Sequence, residues 1–216
     1  MAASSGVIAV VDYGMGNLRS VWQALVHVAG GREVVVTADP AVVESAERVV
    51  FPGQGAMPDC MRELDARGLR PAVLAAAESK PFLGICIGLQ MLFEHSEEGD
   101  VAGLGVFAGQ VRRFPAERMV SAQGERLKVP HMGWNEVAQS KPHPLWQGIA
   151  DAARFYFVHS YYVDPVDRGC IAGTTTHGIP FTSAVVRDNI FAIQCHPEKS
   201  AQSGLALLSN FINWQP

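Results

Sequence analysis

The first half of the chain alternates short runs of β-branched residues with stretches whose apolar positions recur every three or four residues. That order predicts a parallel sheet wrapped by helices. Residues 7–11 read as a buried strand, and Leu18, Val21, Trp22, Leu25 and Val28 share one face of a helix over 18–29 that Asn17 is placed to cap. Strands follow at 34–36 and 48–51, helices at 56–65 and 70–78, a strand at 81–85 and a helix at 87–94. Beyond Gly103 strand-like runs dominate, at 106–114, 136–137, 155–162, 171–175, 183–186 and 190–194, with turns such as Pro142-His143-Pro144 and Gly178-Ile179-Pro180 between them. These predict antiparallel strands that extend the sheet, and a helix over 202–213 closes it. The expected fold is α/β, a mixed, mostly parallel central sheet flanked by helices with a strand-rich C-terminal half. One domain over 1–216 is expected, its first six residues a disordered extension.

Composition narrows the class of protein. With 216 residues, 48% hydrophobic and 18% charged, there is enough apolar material for a full core. The four cysteines, Cys60, Cys86, Cys170 and Cys195, have neither zinc-ligand spacing nor the density of a disulfide framework, which points to a reducing, cytoplasmic setting. No metal site is expected. The sequence shows no leader pattern and no uncharged run of membrane-spanning length. A net charge of −4 without a basic block argues against nucleic acid as a partner.

The candidate chemistry centres on Gly84-Ile85-Cys86-Ile87-Gly88, where a predicted strand meets a predicted helix. Small residues on both sides suit a tight elbow that presents a nucleophile at a helix N-terminus, where backbone N–H groups favour an anion. A lone intracellular cysteine is more often a buried packing residue, but its place on this turn argues for reactivity. Far downstream, Gln194-Cys195-His196-Pro197-Glu198-Lys199 follows another strand and so reaches the sheet edge. Glu198 is near enough in sequence to orient His196, leaving the other ring nitrogen for a thiol; Cys195 points to the opposite face as packing. The glycine-rich strand end Phe51-Pro52-Gly53-Gln54-Gly55 can bring backbone donors to a developing oxyanion, pairing the N–H of Gln54 with that of Ile87 in a loop that includes Gly53. Gly14-Met15-Gly16 is rejected as a dinucleotide fingerprint because Arg19 fills the third glycine position. The elbow alone is compatible with proteases, esterases and transferases.

The Gly-Ile-Cys-x-Gly-x-Gln elbow and the His-Pro-Glu turn, 110 residues apart from cysteine to histidine, resemble the signatures of class I, triad-type glutamine amidotransferases, a flavodoxin-like fold family. Asp12 to Leu18, Pro130 to Asn135, Phe157 to Tyr161 and His196 to Ser200 are similar to the branch that serves as glutaminase subunit of imidazole glycerol phosphate synthase. Gln54 stands where many members have valine. The resemblance implies that Cys86 attacks the glutamine side-chain amide, that His196 protonates departing ammonia and that Glu198 orients His196. It implies substrate contacts from Gln90, Glu98 and the Ser160-Tyr161 backbone, and a partner interface that includes Asn17, Trp134, Tyr161 and Lys199. No cofactor is implied. The implied partner is a (βα)8-barrel cyclase subunit in a heterodimer, which uses the ammonia in histidine biosynthesis. The rival readings are the amidotransferase subunit of another pathway, such as anthranilate or pyridoxal phosphate synthesis, and a catalytically silent binding subunit.

Overall fold

The computed structural model describes residues 6–16, 18–121 and 123–216. Asn17 and all but the last residue of the expected N-terminal extension lie outside the described residues. Strands β1 (Ile8–Val11), β2 (Val34–Thr37), β3 (Arg48–Phe51) and β4 (Phe82–Ile85) alternate with helices α1 (Leu18–Val28), α2 (Pro40–Ser45), α3 (Met57–Ala66) and α4 (Arg70–Ser79). The short α5 (Ile87–Met91) leads into β5 (Phe93–Ser96), β6 (Val101–Ala102) and β7 (Phe107–Arg113). Then come β8 (His131–Gln139), β9 (Ala153–His159), β10 (Tyr161–Pro165), β11 (Ile171–His177), β12 (Ile179–Arg187), β13 (Ile190–Ile193) and α6 (Ala201–Asn213).

The sheet begins with a parallel run, β2-β1-β3-β4-β13, and continues antiparallel through β12, β10 and β7. Strands β1, β3, β4 and β13 are buried at every position, as expected of strands covered on both faces. One apolar cluster, with Val21, Leu25, Leu207 and Phe211, packs α1 and α6 on one face; the other, with Met57, Leu64, Val73 and Leu89, packs α3, α4 and α5 on the opposite face. No helix among the described residues is long and apolar enough to cross a membrane.

The α/β class and the mixed sheet match the expectation from sequence, with the parallel pairs concentrated in the first half. Several elements differ. The helix expected over 87–94 stops at Met91, because Phe93 stacks on Phe107 and its strand pairs with β7. The run 155–162 is two strands that break at Ser160: β9 pairs with β8, whereas β10 pairs with β7 and β12. The strand expected at 136–137 extends over His131–Gln139, although its half toward His131 carries Gly133 and Asn135, poor strand formers held by pairing to β9. Helix α2, absent from the sequence reading, starts where the Asp39 side chain accepts from Ala41 N–H and Pro40 takes the first turn.

Candidate active site

Three neighbouring parallel strands deliver the candidate residues to one edge. Phe51 is level with Gly84, and Ile85 is level with Ile193, so the chain leaves β3, β4 and β13 side by side. The loop 52–55, the elbow at 86 and the turn at 194–198 therefore meet beyond their carboxyl ends, the usual place for ligands in such sheets. Cys86 N–H donates to Ile193 O at 2.8 Å, which binds the elbow to the histidine-bearing strand.

The elbow is strained and closely packed. Cys86 has φ 55° and ψ −109°, a backbone conformation that favours glycine, so holding a cysteine there costs of order 1–3 kcal/mol. Gly88 shows why the next turn tolerates no side chain: a Cβ would lie 1.9 Å from the Phe51 carbonyl oxygen. That clearance lets the end of β3 and the loop 52–55 sit directly against the elbow. Gly53 is equally confined, since a Cβ there would lie 1.8 Å from the Tyr13 hydroxyl and 2.0 Å from Ile87 Cγ2. Gly53 is buried and Gln54 is exposed, so the two residues expected to frame the oxyanion loop straddle the mouth of the site.

His196 follows β13 and is fixed by its backbone: its N–H donates to Tyr156 O at 2.9 Å, and its carbonyl accepts from the Ser200 hydroxyl at 2.6 Å. Its ring Nδ1 lies 2.8 Å from Glu198 Oε1, with both side chains almost fully buried. Nε2 has no hydrogen-bond partner and faces the cleft. Burial alone would lower the His196 pKa; the negative charge of a Cys86 thiolate, followed by Glu198, overcomes it and pushes the value up to about 10. Cys195, the neighbour assigned to packing, is buried in the apolar cluster with its thiol pushed well up by desolvation.

A cavity of about 240 Å³ opens over Cys86. Its wall brings together Gln54, Ile87, Gln90, Glu98, Ser160, Tyr161 and His196 from separate parts of the chain. Glu98 is partly committed, because Oε2 accepts from Met57 N–H at the start of α3 at 2.9 Å. Gln90 is buried, and its amide nitrogen donates to the Tyr161 carbonyl at 3.1 Å and to Gln194 Oε1 at 3.0 Å, which leaves its oxygen for a ligand. Trp134, 44% exposed, and half-buried Lys199 lie outside this wall. Trp134 packs edge-on against Tyr156, the residue whose carbonyl holds His196.

Sequence reasoning gave Gln194 no role. It is completely buried, accepts from Gln90 and donates to Cys86 Sγ at 3.6 Å, and so bridges the elbow helix and the Cys86 thiol. A glutamine directly after a strand made of Ile, Phe and Ala was the available signal. Tyr13 was missed as well. Fully buried in the segment after β1, it is the hydroxyl that confines Gly53, and burial raises its pKa well above the usual tyrosine range.

A thiol on a strained elbow, facing an imidazole that is backed by a buried carboxylate, is the arrangement of enzymes that make and break acyl–sulfur bonds. Within that class the chain belongs to the class-I glutamine amidotransferase family, whose model matches residues 9–214. It is 72% identical over its whole length to the complete imidazole glycerol phosphate synthase subunit HisH of Dechloromonas aromatica. It is 68% identical to the protein of the same description from Aromatoleum aromaticum, over 97% of this chain and 99% of that one. Among solved structures, a glutamine amidotransferase from Thermotoga maritima superposes with a TM-score of 0.61 at 17% identity, covering 93% of this chain and 79% of that one, which shows the shared fold.

Proposed function

We propose that this chain is the glutaminase subunit of an imidazole glycerol phosphate synthase in cytoplasmic histidine biosynthesis. It hydrolyses glutamine to glutamate and ammonia, and hands the ammonia to a separate (βα)8-barrel cyclase. The observation that carries the chemistry is the convergence of Cys86 and His196 on one cleft, with Glu198 bonded to the far nitrogen of His196. The assignment to this synthase is supported by full-length identity of 72% to a subunit of that description.

In this reading Cys86 Sγ attacks the side-chain amide carbon of glutamine. The oxyanion is met by the N–H groups of Ile87 and Gln54, with the confined Gly53 setting the position of the loop. His196, charged at neutral pH, gives its proton to the departing nitrogen, and ammonia leaves a thioester on Cys86. Water then attacks the thioester with His196 as base, which releases glutamate and restores the thiol. The free oxygen of Gln90, the uncommitted oxygen of Glu98 and the Ser160-Tyr161 backbone hold the amino-acid end of the substrate.

The partner surface includes Trp134 and Lys199, beside the rim residue Tyr161; Asn17 joins it on the resemblance alone. Met132 and Trp134 are exposed on the outward face of β8, a pairing of the kind enriched at protein interfaces. Ammonia that reached bulk water would be protonated, so transfer between closed sites has a chemical reason. The test is glutamate release by the purified chain alone, with its cyclase, and with cyclase plus nucleotide ligand. Weak activity alone and strong activity in the loaded complex are expected. Full activity of the isolated chain contradicts the coupling.

A further inference from the structure

Two buried imidazoles outside the triad form one hydrogen-bonded line from β8 to the glutamine cleft. Desolvation, helped by neighbouring histidines, lowers the pKa of His131 to about 4 and of His159 to about 3, the latter against a hydrogen bond to Tyr161 that favours charge. Each ring is therefore neutral near pH 7, with one donor and one acceptor.

The ends of the line fix which nitrogen carries each proton. Asn135 Oδ1 accepts Glu136 N–H at 2.8 Å, so its Nδ2 is the donor, to Thr176 O at 2.9 Å and to His131 Nε2 at 3.2 Å. His131 Nδ1 then holds the hydrogen and donates to His159 Nε2 at 2.9 Å. His159 Nδ1 in turn donates to the Tyr161 carbonyl at 2.7 Å, an oxygen that can only accept. With these tautomers every ring nitrogen in the line is satisfied. The same Tyr161 carbonyl accepts from Gln90, and Gln90 connects through Gln194 to Cys86 Sγ.

Packing alone does not account for histidine here. The His159 ring sits among Phe114, Phe157 and Phe181, where a phenylalanine ring would fill the space without burying polar atoms. We propose that His131 and His159 are positioning residues of the glutamine site, a one-directional donor line that holds the Tyr161 carbonyl, and through it Gln90, in the substrate-binding arrangement. The line also ties that arrangement to β8, whose alternate residues Met132 and Trp134 face outward. This rests on the glutaminase reading.

The test is steady-state glutaminase kinetics of the complex with the cyclase, comparing His159→Phe, His159→Asn and the double variant H131F/H159F. His159→Phe keeps the ring contacts and removes the donor; it should raise KM for glutamine roughly tenfold or more, change kcat less, and leave ammonia-dependent synthesis intact. His159→Asn places an amide donor near the old Nδ1 and should recover most of the loss. Should His159→Phe not fold, the double variant, which leaves no orphaned His131 donor, must show the same rise in KM. An unchanged KM in either Phe variant overturns the proposal, as does a stable His159→Asn that recovers nothing. A wild-type complex that releases no glutamate from glutamine removes the glutaminase reading itself; an active wild type with unaltered variants removes the positioning role alone.

Discussion

His196 Nδ1 lies 2.8 Å from Glu198 Oε1 although one proline alone separates the two residues, and both side chains are sealed from water. The short turn makes the contact local to the segment between β13 and α6. Glu198→Gln keeps the shape and removes the charge that supports the imidazolium. It should lower kcat for glutamate release by roughly 10²- to 10⁴-fold, with KM little changed. A large rise in KM at unchanged kcat would instead make Glu198 a substrate ligand.

The pH dependence follows from His196. Its pKa in the folded protein, about 10, lies above the ordinary 6.5, so protonation favours the folded state. That stabilisation is fully present below about pH 6.5 and is lost as pH rises through about 10. In Cys86→Ala the leading cause that raises the value is gone while burial still lowers it. NMR titration of the His196 ring should therefore show a lower midpoint in the variant than in the wild type. Equal midpoints would mean that the thiolate does not act on the imidazole.

The elbow trades stability for geometry. Cys86→Gly places the residue suited to φ 55° where cysteine is strained, and should raise the melting temperature by a few degrees while abolishing glutaminase activity. Cys86→Ala retains the strain and should gain less. A melting temperature for Cys86→Gly at or below that of Cys86→Ala would show that the conformation carries no such cost.

Gly88→Ala tests the contact between elbow and oxyanion loop. The added methyl meets the Phe51 carbonyl oxygen at 1.9 Å, a backbone atom that cannot swing aside. Destabilisation of about 1–3 kcal/mol, measured by denaturant unfolding, is expected together with a loss of activity. An alanine variant of wild-type stability and activity would mean that the elbow and β3 can separate freely.

The first half of the fold was legible because its strands are short, fully buried and separated by helices of clear period; 48–51 coincides with β3 and 70–78 falls one residue short of α4. Residues 93–96 and 131–135 were not, since their strand pairing is imposed by Phe107 and by β9 against weak local preference. In the site, Cys86, His196, Glu198 and the loop at 53–54 stand out in the local pattern, whereas Gln194, Tyr13 and His131 meet partners far away in sequence, in Gln90, Gly53 and His159. Glu98 shows the opposite limit: its place on the cleft wall was anticipated, but not the capping of α3 that holds it there.

The most direct test of the account replaces Cys86 with Ala in the complex with the cyclase and follows synthesis from glutamine and from added ammonium salt in parallel. Cys86 touches the glutamine cleft alone, so glutamine-dependent synthesis should vanish while ammonia-dependent synthesis persists at the wild-type rate. Persistence of glutamine-dependent synthesis, or loss of both activities in a folded complex, would contradict a Cys86-centred glutaminase that feeds ammonia to its partner.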